Sequence, residues 1–207
     1  MRTAALLGLY GMRIVINEFI SLDGVVQAPG GAEEDTDGGF RHGGWSMPYF
    51  DPEIMGGAFD AGTKKTDAIM QGRRTFEVMA GAWPDRAGDP FADWINGVQK
   101  YVVSDTLTDA DITWQPATII PVADLVNEVS ALRAREGRDI SIMGSATLVR
   151  SLLEADLVDE LNLMIEPIVL GGGKSIWPSD GVAKGFELAS AQTTGTGVQV
   201  CQYQRAH

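Results

Sequence analysis

The chain has 207 residues, of which 44% are hydrophobic and 21% charged, and its formal net charge is −12. This composition is typical of one globular domain with a substantial apolar core. The negative charge argues against nucleic acid as a partner, because phosphate backbones would be repelled. The single cysteine, Cys201, excludes an internal disulfide. No apolar run approaches the roughly 20 residues that span a bilayer, so we expect a cytoplasmic protein without a membrane segment.

The amino terminus lacks a clear structural pattern until Arg13. Its short apolar run is not followed by the small-residue cleavage site of a secretory signal. We therefore expect residues 1–11 to be an unstructured leader, or to result from an upstream start before Met12. Residues 12–207 are expected to form the domain.

The first half of the chain alternates strand and helix patterns around one long glycine-rich stretch. A run rich in β-branched residues predicts a strand over 13–19, which leads into an Asp-Gly turn at Asp23 and Gly24. Residues 27–47 contain six glycines, and a loop of this length inside a compact domain is usually functional or disordered. The following segments predict a helix over 52–62, a strand over 67–71, helices over 73–80 and 91–97, and a strand over 99–104.

The second half begins with an amphipathic helix over 122–135, whose apolar residues recur at helical spacing. Next come a strand over 139–143, a helix over 145–155, a long strand over 159–170 with a bend at Pro167, and a hairpin of 186–193 with 198–204. Strands that alternate with helices favour a mainly parallel sheet, and the hairpin adds an antiparallel edge. The predicted fold is one α/β domain with a mixed sheet flanked by helices.

Two strand-to-helix junctions have the residues expected of an anion site. Gly72-Arg73-Arg74-Thr75 combines a glycine, two guanidinium groups and a hydroxyl where a helix begins; a helix cap with two solvated arginines is an equally good interpretation. Small residues fill Gly144-Ser145-Ala146-Thr147, which leaves room for a pyrophosphate, although Ser145 could be only an N-cap.

A third strand end, at Ser104, offers a hydroxyl that could hold a phosphate or close a plain turn. The dinucleotide fingerprint G-x-G-x-x-G is absent after the first strand, which argues against an ordinary Rossmann domain.

Five segments together resemble the dihydrofolate-reductase-like superfamily. More narrowly, they resemble the C-terminal reductase domain of the riboflavin-biosynthesis deaminase/reductase (RibD) and its stand-alone relatives. The resemblance covers about residues 12–205 and rests on SLDGVV at 21–26, GRRTFE at 72–77, VVSDTL at 102–107, IMGSATLVRSLLEADLVDEL at 142–161 and PIVLGGGKSIW at 167–177. It implies a dihydrofolate-reductase-like fold that binds NADPH across the C-terminal edge of the sheet.

The same resemblance implies which residues contact the cofactor. The family often has Gly-Gly where this chain has Gly144-Ser145. The implied contacts are Leu22, Asp23, Gly24 and Val25 beside the nicotinamide, Gly72, Arg73, Arg74 and Thr75 for the adenosine and pyrophosphate half, Ser104 near the 2′-phosphate, and Gly144, Ser145, Ala146, Thr147 and Leu148 at the pyrophosphate turn.

Residues for the chemistry itself are less defined by sequence. Hydride transfer belongs to the nicotinamide, while the protein positions the substrate and supplies a proton. Asp51 and Glu53 are candidate catalytic acids at a helix start, where acids are also simply stabilising. Trp45, Tyr49 and Phe50 are candidates for stacking on a flat substrate, or for anchoring their loop.

We expect an NADPH-dependent reductase that transfers hydride to a small heterocycle, such as a pterin or a ribosylaminopyrimidine. The alternative is a nucleotide-binding module of the same fold without efficient catalysis. No metal is expected. A small-molecule substrate is the expected partner, and a homodimer is implied by the resemblance alone.

Overall fold

A computed structural model describes residues 11–86 and 88–206. Its eight strands form one sheet in the order β4-β3-β2-β5-β1-β6-β8-β7. The strands are β1 (Arg13–Ser21), β2 (Thr66–Gly72), β3 (Gln99–Val103), β4 (Ala117–Ile120), β5 (Asp139–Ile142), β6 (Glu160–Glu166), β7 (Phe186–Thr193) and β8 (Gln199–Arg205). The helices are α1 (Ile54–Thr63), α2 (Arg73–Ala82), α3 (Pro90–Gly97), α4 (Leu125–Arg133) and α5 (Ala146–Glu154).

The six strands from β4 to β6 pair in parallel, and the terminal hairpin of β7 and β8 adds an antiparallel edge. This arrangement confirms the predicted α/β class with its mixed, mainly parallel sheet. The β2 strand follows the predicted 67–71 closely, because its residues are buried and pair on both sides.

Two sequence predictions were wrong in detail, and one strand was not predicted. The strand predicted over 159–170 ends at Glu166, just before Pro167, which has no N–H to donate to a ladder. The helix predicted over 122–135 opens with a 3-10 turn, and α4 itself begins at Leu125. The β4 strand, Ala117–Ile120, was not predicted.

The two faces of the sheet are covered differently. On one face, α4 and α5 bury a large apolar core against side chains such as Ile14, Ile16 and Ile142. On the other face, α2 and α3 pack around Phe76 and Ile95, whereas α1 packs at the far side against β6 and β8. Polar residues of the central strands lie between these two smaller clusters.

The central strands do not all extend equally far toward the carboxyl edge of the sheet. β5 pairs with β1 only as far as Ile16 opposite Ile142, whereas β1 continues along β6 to Ser21 opposite Glu166. The last residues of β1 therefore pair with a strand on one side only. This step at the carboxyl edge of the sheet forms a slot beside the turn that follows β5.

The last residue of the predicted leader, Gly11, contacts the domain. Gly11 forms an antiparallel bridge with Glu136, so it belongs to the folded domain. The rest of the predicted leader, residues 1–10, lies outside the described residues. Within the described part of the chain, no helix has the length and apolar character needed to cross a membrane.

Candidate active site

The turns that follow β2 and β5 meet at the carboxyl edge of the sheet. A Cβ atom added to Gly72 would collide with Oγ of Ser145, and one added to Gly144 would lie 3.1 Å from Oγ1 of Thr75. Gly144 also has a φ of 75°, which favours glycine. Four of the residues predicted from the two glycine-containing motifs are therefore in direct apposition.

The helices that begin at these turns have no side-chain caps. Gly72 and Ser145 are the N-cap residues of α2 and α5, and neither makes a side-chain hydrogen bond to its first turn. By contrast, Asp89 at the start of α3 accepts hydrogen bonds from the next turn of backbone. Because the first N–H groups of a helix have no partner within it, α2 and α5 present two sets of free donors suited to a diphosphate.

The two predicted arginines are already paired with carboxylates. Nη1 of Arg73 lies 2.9 Å from Oε1 of Glu77, one turn along α2. Nη1 of Arg74 lies 3.0 Å from Asp37 and 3.5 Å from Asp35, both in the long glycine-rich loop. Nζ of Lys174 is also held by these aspartates, at 2.6 Å from Asp35 and 3.0 Å from Asp37.

We call residues 33–37 of this loop the acidic strap. The side chain of Gln27 fixes it, because Nε2 donates to the carbonyl oxygens of Asp35 and Asp37 at 3.1 and 3.0 Å. The backbone of Gln27 in turn accepts a hydrogen bond from the indole N–H of the buried Trp45. Lys174, followed by Arg74, holds the pKa of Asp37 below its usual value. The strap thus joins the β2–α2 turn to the segment after β6.

The segment predicted to flank the nicotinamide is organised by Asp23. Its carboxylate accepts hydrogen bonds from Oγ of Ser21 at 2.6 Å and from the N–H groups of Leu170 and Gly171 at 3.1 and 2.8 Å. The bond from Ser21 lowers the pKa of Asp23. Of its predicted neighbours, Leu22 is exposed and Val25 is buried, while Gly24 has a positive φ.

Some predicted cofactor residues have evident structural roles. Oγ of Ser104 accepts hydrogen bonds from the N–H groups of Thr106 and Leu107, which closes the turn after β3. Leu148 and Ala146 are buried on the core side of α5, whereas Thr147 is exposed. Their cofactor contacts stay predictions.

Neither predicted catalytic acid lines the cavity described below. Oδ1 of Asp51 accepts hydrogen bonds from the N–H groups of Glu53 and Ile54 at 3.0 and 2.9 Å, so this carboxylate stabilises the start of α1. Glu53 is exposed. The predicted aromatic group is also dispersed: Trp45 anchors the loop as described, Tyr49 packs beside Met55 and Met164, and Phe50 is 38% exposed.

The carboxyl group of Glu18, which the sequence did not predict as a site residue, lies in the slot beside β5. Glu18, near the end of β1, is enclosed enough that burial raises its pKa to about 8, although the N–H of Gly144 offsets part of the effect. Its Oε1 is buried and has no hydrogen-bond partner. Glu34 of the acidic strap adds a further raising effect. Glu18 sits in a run that reads as an ordinary strand, so no local motif marks it.

Glu18 also lines a cavity of about 590 Å³ between the sheet and the helices α1 and α3, which we call the face cavity. Its volume is in the range of small-molecule sites. One end reaches Phe19 and Met143, beside the apposed turns, and aromatic walls are supplied by Phe59, Phe91 and Trp94. The face cavity therefore reaches Glu18, near the carboxyl edge of the sheet.

These features define a protein of the dihydrofolate-reductase-like fold, and known structures agree. A crystal structure of a candidate riboflavin biosynthesis protein from Shewanella sp. PV-4 matches with a TM-score of 0.73, at 20% identity, over 95% of this chain and 100% of that chain. Dihydrofolate reductase from Enterococcus faecalis, complexed with NADP(H), matches with a TM-score of 0.59, at 14% identity, over 96% of this chain and 99% of that chain. At these identities the likeness establishes the fold alone.

Sequence comparison gives the family. The model of the RibD C-terminal domain matches residues 12–200, so the chain belongs to that family. The uncharacterized protein YyaP of Bacillus subtilis (strain 168) is 26% identical over 191 residues, which cover 90% of this chain and 91% of YyaP. The resemblance inferred from the five motifs is confirmed.

Proposed function

We propose that this protein is an NADPH-dependent reductase that transfers hydride to a small heterocycle. The observation that carries the proposal is the apposition of two uncapped helix N-termini, α2 and α5, across Gly72 and Ser145. A dinucleotide has a diphosphate that can accept from both sets of N–H groups at once. The NADP(H) complex of the Enterococcus faecalis enzyme, which has the same fold, supports the choice of cofactor.

NADPH would be held at this edge by backbone donors first. The N–H groups at the starts of α2 and α5 would bind the diphosphate, with the hydroxyl groups of Thr75 and Ser145 beside them. Arg74 and Lys174 would bind phosphate oxygens only after release from the acidic strap, because Asp35 and Asp37 occupy them. The unpaired side of β1 next to Gly144 offers a slot for the ring.

Bound NADPH supplies the hydride, so the protein must supply a proton. Glu18 suits this role better than Asp51 or Glu53, because it lines the cavity and its pKa of about 8 keeps it protonated at neutral pH. A protonated carboxyl with a free oxygen can donate to a ring nitrogen and then hold the resulting charge beside the N–H of Gly144. Glu18 is therefore our candidate proton donor.

Calorimetry of the protein with NADPH and with NADH tests the cofactor. From Arg73, Arg74 and Ser104 we expect NADPH to bind more than about tenfold tighter, since charge-assisted bonds contribute roughly 1.5–3 kcal/mol each. Equal affinity would remove that argument. The loss of NADPH absorbance with a panel of pterins and pyrimidinones tests catalysis, and tight binding without oxidation would favour a binding module.

A further inference from the structure

The acidic strap, residues 33–37, crosses the carboxyl edge of the sheet at Glu18. Its aspartates pair with Arg74, in the turn after β2, and with Lys174, in the segment after β6. Because β5 and β1 lie between β2 and β6 in the sheet, the strap spans the ends of those two strands. Besides burial, which has the largest effect, the carboxyl group of Glu34 raises the pKa of Glu18, which indicates that the two groups are close. The strap therefore covers the slot in which Glu18 lies.

On the β6 side, hydrogen bonds to backbone groups hold the strap. Nε2 of Gln27 donates to the carbonyl oxygens of Asp35 and Asp37 at 3.1 and 3.0 Å. Oε1 of the same side chain accepts from the N–H of Lys174 at 3.0 Å. The N–H of Val26 donates to the carbonyl oxygen of Lys174 at 2.9 Å. These neutral bonds tie the strap to residues 26–27 and 174 whether or not its carboxylates are paired.

On the β2 side, the described hydrogen bonds and ion pairs of the strap all go to one side chain, Arg74. Its Nη1 lies 3.0 Å from Asp37 and 3.5 Å from Asp35, and the arginine is exposed. Exposed ion pairs contribute little and weaken in salt. A guanidinium group also binds phosphate in a bidentate manner, so a phosphate can compete for Arg74. The strap can therefore detach from α2 while it stays attached beside β6.

We propose that the acidic strap is a lid over the slot of Glu18, hinged at Gln27 and Lys174 and latched to α2 by Arg74, and that a phosphate group opens it by taking Arg74 from the aspartates. A phosphate monoester carries nearly two negative charges at neutral pH, and it binds the open state better because Arg74 is free there. The inference goes beyond the proposed function, since any phosphate-bearing ligand of Arg74 would open the lid.

Amide hydrogen exchange of the full chain, followed by mass spectrometry over residues 28–44, tests the latch. Arg74→Gln should raise exchange in this segment about two- to fivefold, the range that exposed ion pairs permit. Arg73→Gln is the matched control, because Arg73 pairs with Glu77 within α2 and its loss should leave exchange of the strap unchanged. Melting temperatures show whether each variant folds. Inorganic phosphate that replaces chloride at constant ionic strength should raise exchange in the wild type and not in Arg74→Gln.

Carbodiimide labelling of carboxyl groups tests whether the lid covers Glu18. Labelling of Glu18 should be about two- to fivefold faster in Arg74→Gln than in the wild type, because the open state is more populated. Glu166 is the internal control. It is buried against Ser46, at the base of the same long loop, and its labelling should not change when only the strap lifts.

The outcomes separate this inference from the proposed function. Unchanged exchange of the strap in a folded Arg74→Gln variant overturns the latch, and phosphate that slows exchange or leaves it unchanged overturns the trigger. Equal increases in the labelling of Glu18 and Glu166 would mean that the whole loop unfolds, which overturns the hinge. A strap that responds to phosphate as expected, in a protein that does not bind NADPH, supports the lid and overturns the reductase.

Discussion

The carboxyl edge of the sheet and the face cavity differ in how the chain builds them. The edge consists of short contiguous turns, such as Gly72–Thr75 and Gly144–Thr147, in which each motif supplies several neighbouring residues. The cavity floor takes one side chain from each of several strands, for example Asn17, Asn162 and Gln202. A site made of consecutive residues can be recognised as a sequence motif. A site assembled from several strands can be recognised only once the pairing of those strands is known.

The two regions also differ in charge. The edge offers helix N-termini and three cations, two of which the acidic strap neutralises. The cavity has uncharged amide side chains on the sheet, at Asn17 and Asn162, and aromatic side chains on its walls. The edge is therefore the region suited to a phosphate-bearing cofactor, and Glu18 lies where the edge meets the cavity. Changes at each region, and at this junction, test the difference between them.

The largest effect is expected at the junction. Glu18→Gln keeps the shape of the side chain but removes its acidic proton. If Glu18 is the proton donor, the turnover rate should fall by about 10² to 10⁴, which is typical for loss of a general acid. Wild-type turnover should also decline as pH rises through about 8, the pKa of Glu18. Steady-state kinetics across pH 6–10 measures both.

The stability of the same variant gives a readout that needs no substrate. Because folding raises the pKa of Glu18 from 4.5 to about 8, its carboxyl contributes stability that is fully present at low pH and is lost as pH rises from about 4.5 through 8. Glu18→Gln should flatten this part of the stability curve measured by denaturant unfolding.

Glu166→Gln is the matched control. Its pKa is raised to about 7, but it is buried against Oγ of Ser46 and does not line the cavity. It should also alter the pH dependence of stability, yet leave turnover within a few-fold of wild type. Equal losses of turnover in both variants would contradict the role given to Glu18.

The sequence predicted the sites made of consecutive residues better than those assembled from several strands. The order of elements and the apposed turns came from local patterns, because a strand-to-helix turn with Gly72 is written in consecutive residues. The sequence left two roles open for Asp51, and its carboxylate accepts hydrogen bonds from the first N–H groups of α1, as a helix-stabilising acid does; a catalytic role for it stays a prediction. Glu18 was missed because its burial depends on β5 ending at Ile142, which no local pattern states.

The next effect is expected at the apposed turns. Gly72→Ala places a methyl group against Oγ of Ser145, so the two turns must separate. NADPH affinity should then fall by about ten- to a hundredfold, which corresponds to roughly 1.4–2.7 kcal/mol. Adding Ser145→Gly removes the colliding atoms and should restore most of the affinity. Calorimetry of the single and double variants measures this coupling.

A glycine in open space provides the control for this pair. An added Cβ at Gly57, within α1, meets nothing within 4 Å. Gly57→Ala should therefore leave NADPH affinity unchanged and raise the melting temperature slightly, because alanine favours helix over glycine by about 1 kcal/mol. If Gly72→Ala binds NADPH as well as wild type, the apposed turns do not hold the diphosphate.

The smallest effect is expected at the acidic strap. Asp37 lies 3.0 Å from both Arg74 and Lys174, and Asp35 lies 2.6 Å from Lys174, so a phosphate that uses these cations must displace both carboxylates. The double variant Asp35→Asn with Asp37→Asn removes that competition and keeps the shapes of the side chains. Because Arg74 is 54% exposed, each pair contributes no more than about 1 kcal/mol. NADPH affinity should therefore rise, but by less than about tenfold, and the gain should shrink in high salt.

Asp156→Asn, which breaks the distant exposed pair with Arg205, changes the net charge in the same direction and should leave affinity nearly unchanged. A double variant that binds NADPH more weakly than wild type would mean that the strap helps to build the cofactor site instead of competing for it.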